Sequence, residues 1–327
     1  MHRIRLSNTE FEGRNNAYVL GVDTGGPITL IDTGIAVDSV RSDLTAGLDE
    51  IGLEFGDIER ILLTHWHSDH AGLAGDIQAE SGASVYVHTG DAGLVDASDR
   101  EWFFGRRRQL FVQWGIPESA RRDLLAFLDR HDTRRGRPPT VTPFSAGRSF
   151  PLGELELETL HVPGHSAGLT AFVRHGDGES VAFVGDAILP KYTPNVGGAD
   201  PRVRAPVETY VDSLRRIKRL DLDRLWPGHR DPIDDPADRA SKIIEHHRER
   251  TDRVLEAVEK HGPATPWEVS AALFGELEGI HVMHGPGEAY AHLDHLVRVG
   301  AIEQLDTRYR LNPDFAGEPT DILSASG

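Results

Sequence analysis

Six residues constrain this chain more than any others. His65-Trp66-His67-Ser68-Asp69-His70 reads H-x-H-x-D-H and follows the apolar run Ile61-Leu62-Leu63-Thr64. Three imidazoles and a carboxylate this close together cannot all face one way on a regular helix or strand. They can converge if a buried strand ends at Thr64 and the chain beyond it curls round a common point. Neutral imidazole and carboxylate suit a metal ion there, zinc first, then iron or manganese.

Four further segments share this shape, an apolar strand-like run leading to a ligand-type residue beside glycine. Thr29-Leu30-Ile31 runs into Asp32-Thr33-Gly34, and Leu160-His161-Val162 into Pro163-Gly164-His165. Val181 to Val184 runs into Gly185-Asp186, and Leu225-Trp226 into Pro227-Gly228-His229. Glycine admits positive φ, so a chain leaving a strand can turn back and aim a side chain at a shared point. A lone Gly-Asp or Pro-Gly-His is usually only a turn. Five such segments in this order, led by H-x-H-x-D-H, are specific.

With these motifs the chain resembles the metallo-β-lactamase superfamily over nearly all of residues 10–312. The resemblance implies an α/β (α+β) fold, an αββα sandwich of two mixed sheets with helices outside and metals at one edge. It implies that His65, His67 and His165 hold one metal, that Asp69, His70 and His229 hold a second, and that Asp186 bridges them. Asp32 would brace the ligand loop by hydrogen bonds. Histidine at 67, where iron-binding relatives carry glutamate, favours two zinc ions. Without cysteine there is no thiolate site of the class B lactamase kind. His229 in Pro-Gly-His resembles the glyoxalase II side of the superfamily.

The 327 residues suffice for one large domain and a small one. Zero cysteines exclude disulfides and iron–sulfur clusters. The N-terminus shows no apolar signal core, and no stretch approaches the roughly 20 apolar residues of a membrane span. The cytoplasm is therefore the expected location and no membrane partner is expected. The net charge of −17 comes from 52 acidic against 35 basic residues, of which four are lysines. The acids are spread over many segments, which fits an acidic surface of the salt-loving kind better than a dedicated tail.

A hydrolase domain is expected over 1–235, beginning with a hairpin (17–22 and 28–31), a helix over 37–51 and a second helix over 71–81. Residues 94–137 break the strand pattern. Trp102, Phe103, Phe104, Leu110, Phe111 and Trp114 crowd there beside Arg106, Arg107 and Arg108. Either this is an aromatic and arginine cap suited to a substrate carboxylate or phosphate, or two helices pack on the sandwich with the arginines solvated. Three prolines lie between 190 and 201, in the loop directly after Asp186, where Lys191, Tyr192 and Asn195 are candidate substrate contacts. Leu189-Pro190-Lys191-Tyr192-Thr193-Pro194-Asn195 is similar to a stretch in the lactamase-like protein 2 branch of the superfamily, which carries a C-terminal winged helix.

Residues 236–312 fit that tail. A helix is expected over 236–260, another from the capping box Thr265-Pro266-Trp267-Glu268 to Phe274, a third over about 287–299, then a hairpin across Asp306-Thr307. Residues 313–327 read as frayed. The third helix carries Glu288, His292, Asp294, His295 and Arg298, which is no positive footprint for phosphates. His281, His284, His292 and His295 read as surface or capping residues before they read as a third metal site.

Two cations bridged by Asp186 would bring the pKa of a shared water from about 15.7 to near 7. No G-x-S-x-G or Cys/His arrangement offers another nucleophile, and the resemblance implies Asp69 and Asp186 as the candidate catalytic carboxylates. The leading expectation is a binuclear hydrolase of a small-molecule acyl thioester or ester. The alternative is an endoribonuclease acting on single-stranded RNA, and a winged-helix binding protein with a structural metal comes third. The sequence leaves the acyl group, the leaving group and the oligomeric state open, a homodimer included.

Overall fold

The protein is described here from a computed structural model covering residues 1–8, 13–132, 134–176 and 178–315. The expected frayed tail lies outside the described residues from 316 onward. The first sheet holds β1 (His2–Arg5), β2 (Asn16–Leu20), β3 (Thr29–Ile31), β4 (Arg60–Leu62), β5 (Ser84–His88) and β6 (Val141–Phe144), bonded in that order. Its first three strands pair antiparallel and β3 to β6 run parallel. The second sheet holds β7 (Ser149–Leu152), β8 (Leu155–His161), β9 (Thr170–Arg174), β10 (Val181–Gly185) and β11 (Arg224–Pro227), in the order β11-β10-β9-β8-β7. Only β10 and β11 are parallel there.

Strand alternation explains how the layers stack, since successive side chains point to opposite faces. Tyr18, Leu20, Ile31 and Leu62 of the first sheet meet Phe150, Leu157, Phe172 and Phe183 of the second in one buried layer. On the opposite face of the first sheet, Val19, Leu30 and Ile61 pack with Val40, Leu44 and Leu48 of α1 (Asp38–Asp49). The expected helix over 71–81 is two pieces, α2 (Ser68–Ala71) and α3 (Ala74–Ser81). The first helical turn thus begins inside the ligand motif, and Asp69 and His70 sit in it.

After β5 come α4 (Thr89–Val95), α5 (Arg100–Gln113) and α6 (Glu118–Asp132). On the far side of the second sheet, Val173, Val184 and Leu225 pack against α7 (Pro206–Arg219) and α8 (Pro236–His261). The chain finishes with α9 (Pro266–Phe274), α10 (His281–Arg298) and the hairpin β12 (Ile302–Leu305) and β13 (Arg308–Leu311). Thr265 and Glu268 form the expected capping box. The last helix starts six residues earlier than expected and carries Pro286 in its interior.

The reading of the 281–295 histidines as surface or capping residues fails for His292 and His295, which are fully buried. His292 Nδ1 lies 2.8 Å from Thr251 Oγ1, its ring stacks on His247, and His295 Nδ1 lies 2.7 Å from Glu208 Oε1 of α7. These polar contacts hold α10 inside a bundle with α7 and α8. Trp102 is also corrected. It is 64% exposed, while Phe103, Phe111 and Trp114 are buried. Phe111, Trp114 and Leu124 of the cap form one cluster with Val282 and Met283, so the cap and α10 are packed together.

Two glycines, Gly287 of α10 and Gly198, let α10 approach the loop after β10 closely. A Cβ on Gly287 would come 2.1 Å from Gly198 Cα, in the loop after β10. Gly287→Val is expected to cost about 1–3 kcal/mol or more by overpacking. At Gly105, in α5, an added Cβ meets nothing within 4 Å. Gly105→Ala is therefore expected to be stabilising by up to about 1 kcal/mol. Denaturant melts of the two variants check the opposite signs.

Candidate metal centre

Every predicted ligand follows a strand end at one edge of the sandwich: 65–70 after β4, His165 after β8, Asp186 after β10 and His229 after β11. The seven side chains converge. His67 Nδ1 lies 2.9 Å from His65 Nε2 and 3.0 Å from His165 Nε2. Asp69 Oδ2 lies 3.3 Å from His229 Nε2 and 3.8 Å from His70 Nε2. Asp186 stands between the two groups, with Oδ1 3.4 Å from His70 Nε2 and Oδ2 3.7 and 3.5 Å from His165 and His229 Nε2.

The outward ring nitrogens have acceptors, which fixes the tautomers and leaves lone pairs pointing inward. His70 Nδ1 donates to Asp32 Oδ2 (2.9 Å), His165 Nδ1 to the Asn195 carbonyl (2.9 Å) and His229 Nδ1 to the Gly13 carbonyl (3.1 Å). Asp32 also accepts from Thr64 N (2.8 Å) and Thr64 Oγ1 (2.7 Å). It thus ties the start of the ligand loop to His70, from a left-handed backbone at φ 57° that aspartate tolerates.

The residues fit a cation. His70 Nε2 and Asp186 Oδ1 are buried with no hydrogen-bond partner among the described residues, and such orphans need an explanation. Burial and the neighbouring imidazoles hold His65 and His67 well below the usual histidine range, so both are neutral donors. Burial alone would lower His70 and His229 too. The carboxylates outweigh it, raising His70 well above its usual value and His229 to about 10. Asp186 moves the other way. Burial would raise it, but His229 and His70 pull it well below the carboxylate range. Two buried carboxylates here attract whatever positive charge is available. Three donor triads lie within reach of a metal: His65, His67 and His165; His65, His70 and Asp186; and Asp69, His70 and His229.

Several bracing residues escaped the sequence reading. Asp91 is fully buried and accepts from Trp66 N (3.3 Å), Ser166 Oγ (2.9 Å), Gly168 N (2.9 Å) and Arg202 (2.7 Å). It clamps the 65–70 loop to the His165 loop. Burial pushes its carboxyl up, to about 6, against the pull of Arg202. Asn15 Nδ2 lies 3.3 Å from both Asp69 Oδ2 and His229 Nε2. A signal for Asp91 existed, because Val85-Tyr86-Val87-His88 running into Thr89-Gly90-Asp91 has the same strand-end shape as the ligand segments.

A cavity of about 470 Å³ opens over the ligands, with His67, Asp69, His165, Asp186 and His229 on its wall. Of the candidate substrate residues, Tyr192, Asn195, Arg107 and Arg108 line it. Arg106 and Lys191 do not. Arg106 faces out toward Gln109 (3.4 Å), and Lys191 is exposed over the Tyr192 ring. Consecutive helical residues point about 100° apart, so three adjacent arginines cannot share one wall. Arg107 is buried over Phe103 and Phe104 rather than solvated.

A sandwich with this donor cluster at its edge defines a metal-dependent hydrolase class. The family description "Metallo-beta-lactamase superfamily" matches residues 11–229, and the chain belongs to that superfamily as a hydrolytic enzyme. It is 26% identical over 291 residues to "Probable metallo-hydrolase YqjP" of Bacillus subtilis, covering 85% of this chain and 87% of that one. It is 28% identical to the "Beta-lactamase-like protein 2 homolog" of Drosophila melanogaster, over 74% of this chain and 67% of that one. Identity to the "Atrochrysone carboxyl ACP thioesterase" of Aspergillus fumigatus is 24%, over 75% of this chain and 44% of the relative. The crystal structure of the metallo-beta-lactamase family protein TTHA1429 from Thermus thermophilus superposes with a TM-score of 0.82 at 29% identity, covering 95% of this chain and 98% of that one. Among the described residues no helix is long and apolar enough to cross a membrane.

Proposed function

We propose that this protein hydrolyses a small-molecule acyl thioester or related carboxylic ester with two zinc ions. His65, His67 and His165 would hold one ion, Asp69, His70 and His229 the other, and Asp186 both. The observation that carries this reading is the convergence of seven donors at one cavity, five of them on its wall. When bound, the ions supply an acidified water and a Lewis acid for the carbonyl oxygen. The chain's own residues do the rest. Asp69, braced by Asn15 at Oδ2, orients the attacking water and takes its proton on the other carboxylate oxygen. The water oxygen adds to the carbonyl carbon. Collapse breaks the C–S or C–O bond, and the leaving thiolate or alkoxide takes that proton. The cap and α10 exclude bulk water from the cavity, which strengthens the electrostatics inside.

Residues 236–312 we take as a winged-helix unit whose work is to close this cavity. Phe274, Met283 and His284 lie on the cavity wall. The buried faces of His292 and His295 count against α10 as a nucleic-acid reader, and with it against the ribonuclease alternative. Purified zinc-loaded protein assayed in parallel on acyl thioesters and on single-stranded RNA decides between them. Thioester hydrolysis with RNA left intact is expected, and RNA cleavage alone would reverse the assignment.

A further inference from the structure

The described wall of the cavity carries, apart from the metal cluster, four guanidinium groups, Arg107, Arg108, Arg135 and Arg250, against two carboxylates, Asp129 and Glu288. The whole chain has the opposite bias, at −17. The arginines come from three separate stretches, α5, the segment after α6, and α8, so the fold brings them together and not a basic run in the sequence. Concave walls of one sign focus field and concentrate ligands of the other sign.

The groups are also held in place. Arg107 and Arg135 lie on the Phe104 ring, 4.9 and 5.1 Å from its centre, and Arg250 lies 4.6 Å from that of Phe274. Stacking on an aromatic ring fixes the guanidinium plane, whose forked edge matches a carboxylate or phosphate. Arg250 is further anchored by an ion pair with Glu288. Arg108 makes no hydrogen bond or ion pair among the described residues, yet lines the cavity. The rest of the wall includes the apolar side chains of Phe111, Leu125, Leu128, Ile280 and Met283. The scissile bond must lie at the metal cluster. The arginines and the apolar wall are therefore left to other parts of the substrate.

We propose that the substrate is anionic. Resting on the thioester reading above, the inference is an acyl thioester with an apolar arm and an oxyanion group that Arg108 and Arg250 bind, with Arg107 and Arg135 completing the positive wall. A carboxylate on the acyl chain and a phosphate on the thiol share this chemistry.

The test is calorimetric binding of three non-hydrolysable thioethers with one common apolar arm to the zinc-loaded protein. One carries a carboxylate on the acyl side, one a phosphate on the thiol side, and one is neutral. One of the anionic pair should bind at least about tenfold tighter than the neutral compound, as a charge-assisted bidentate contact implies, and the tighter one identifies the source. The preference should shrink in Arg108→Gln and vanish in Arg108→Gln with Arg250→Gln. Losing Arg250 leaves the largely buried Glu288 without that partner, so if the double variant does not fold, the exposed Arg108→Gln alone carries the comparison. Equal binding of all three compounds to the wild type, or a preference that survives the substitutions, would overturn the proposal. Binding does not require turnover. Failure to hydrolyse any thioester would remove the reading above and leave these affinities decisive for the anion site.

Discussion

Asp186→Ala is expected to abolish turnover and to strip metal from the protein. Of the two ligand carboxylates, only Asp186 comes within 3.8 Å of imidazole nitrogens from both donor groups. Its two oxygens serve different partners, so no terminal ligand can replace it. Without it, two cations would face five imidazoles and one carboxylate in a buried site. Removing one member of a buried charge cluster costs about 3–5 kcal/mol, or roughly two to four powers of ten in metal affinity. His165→Ala should weaken metal binding less, because His65 and His67 remain in its triad. Competition with a chromogenic chelator measures both affinities. If Asp186→Ala keeps wild-type turnover and metal content, the ligand assignment is wrong at its centre.

The second large effect is expected at Asp91, which touches no proposed metal. Asp91→Ala leaves Trp66 N, Ser166 Oγ and Gly168 N without their acceptor and removes one of the two carboxylates that Arg202 reaches. Each buried group left unsatisfied costs about 1–3 kcal/mol, so a loss of several kcal/mol of stability is expected. Because the same carboxylate clamps both ligand loops, metal affinity of the folded variant should also fall, by about 10–100-fold as for other residues that orient metal ligands. A purely structural role would lower the melting point and leave the affinity of the folded fraction unchanged. Asp91→Asn, which keeps one acceptor oxygen, should lie between the two.

These two residues also mark what the sequence made legible. Asp186 could be read because ligation needs particular side chains, and glycine beside a strand end shows where they turn inward. The sandwich came only through the family resemblance those segments carry, while the hairpin and α1 came from period-2 and period-3.6 patterning. Asp91 carried the same strand-end signal but is distant in sequence from the loops it joins. Its partners are mostly backbone amides, which any residue supplies. The position of α10 was equally hidden. The helix was expected only from about 287, whereas it runs through Gly285 and Pro286, and the packing of Gly287 against Gly198 shows why glycine sits there. His292 and His295 looked solvated because nothing local announces that Thr251 and Glu208, 41 and 87 residues away, will meet them. The arginine run misled in part, since helix geometry sends Arg106 outward and draws Arg250, from another element, toward the cavity.

The central claim is that two metals, held by these seven residues, power acyl thioester hydrolysis. Its most direct measurement is a titration of metal-free protein with zinc, following thioester hydrolysis at each addition. Negligible activity is expected without metal, with a rise that levels off at two equivalents per chain. Full activity at zero or one equivalent, or none at two, would contradict the claim.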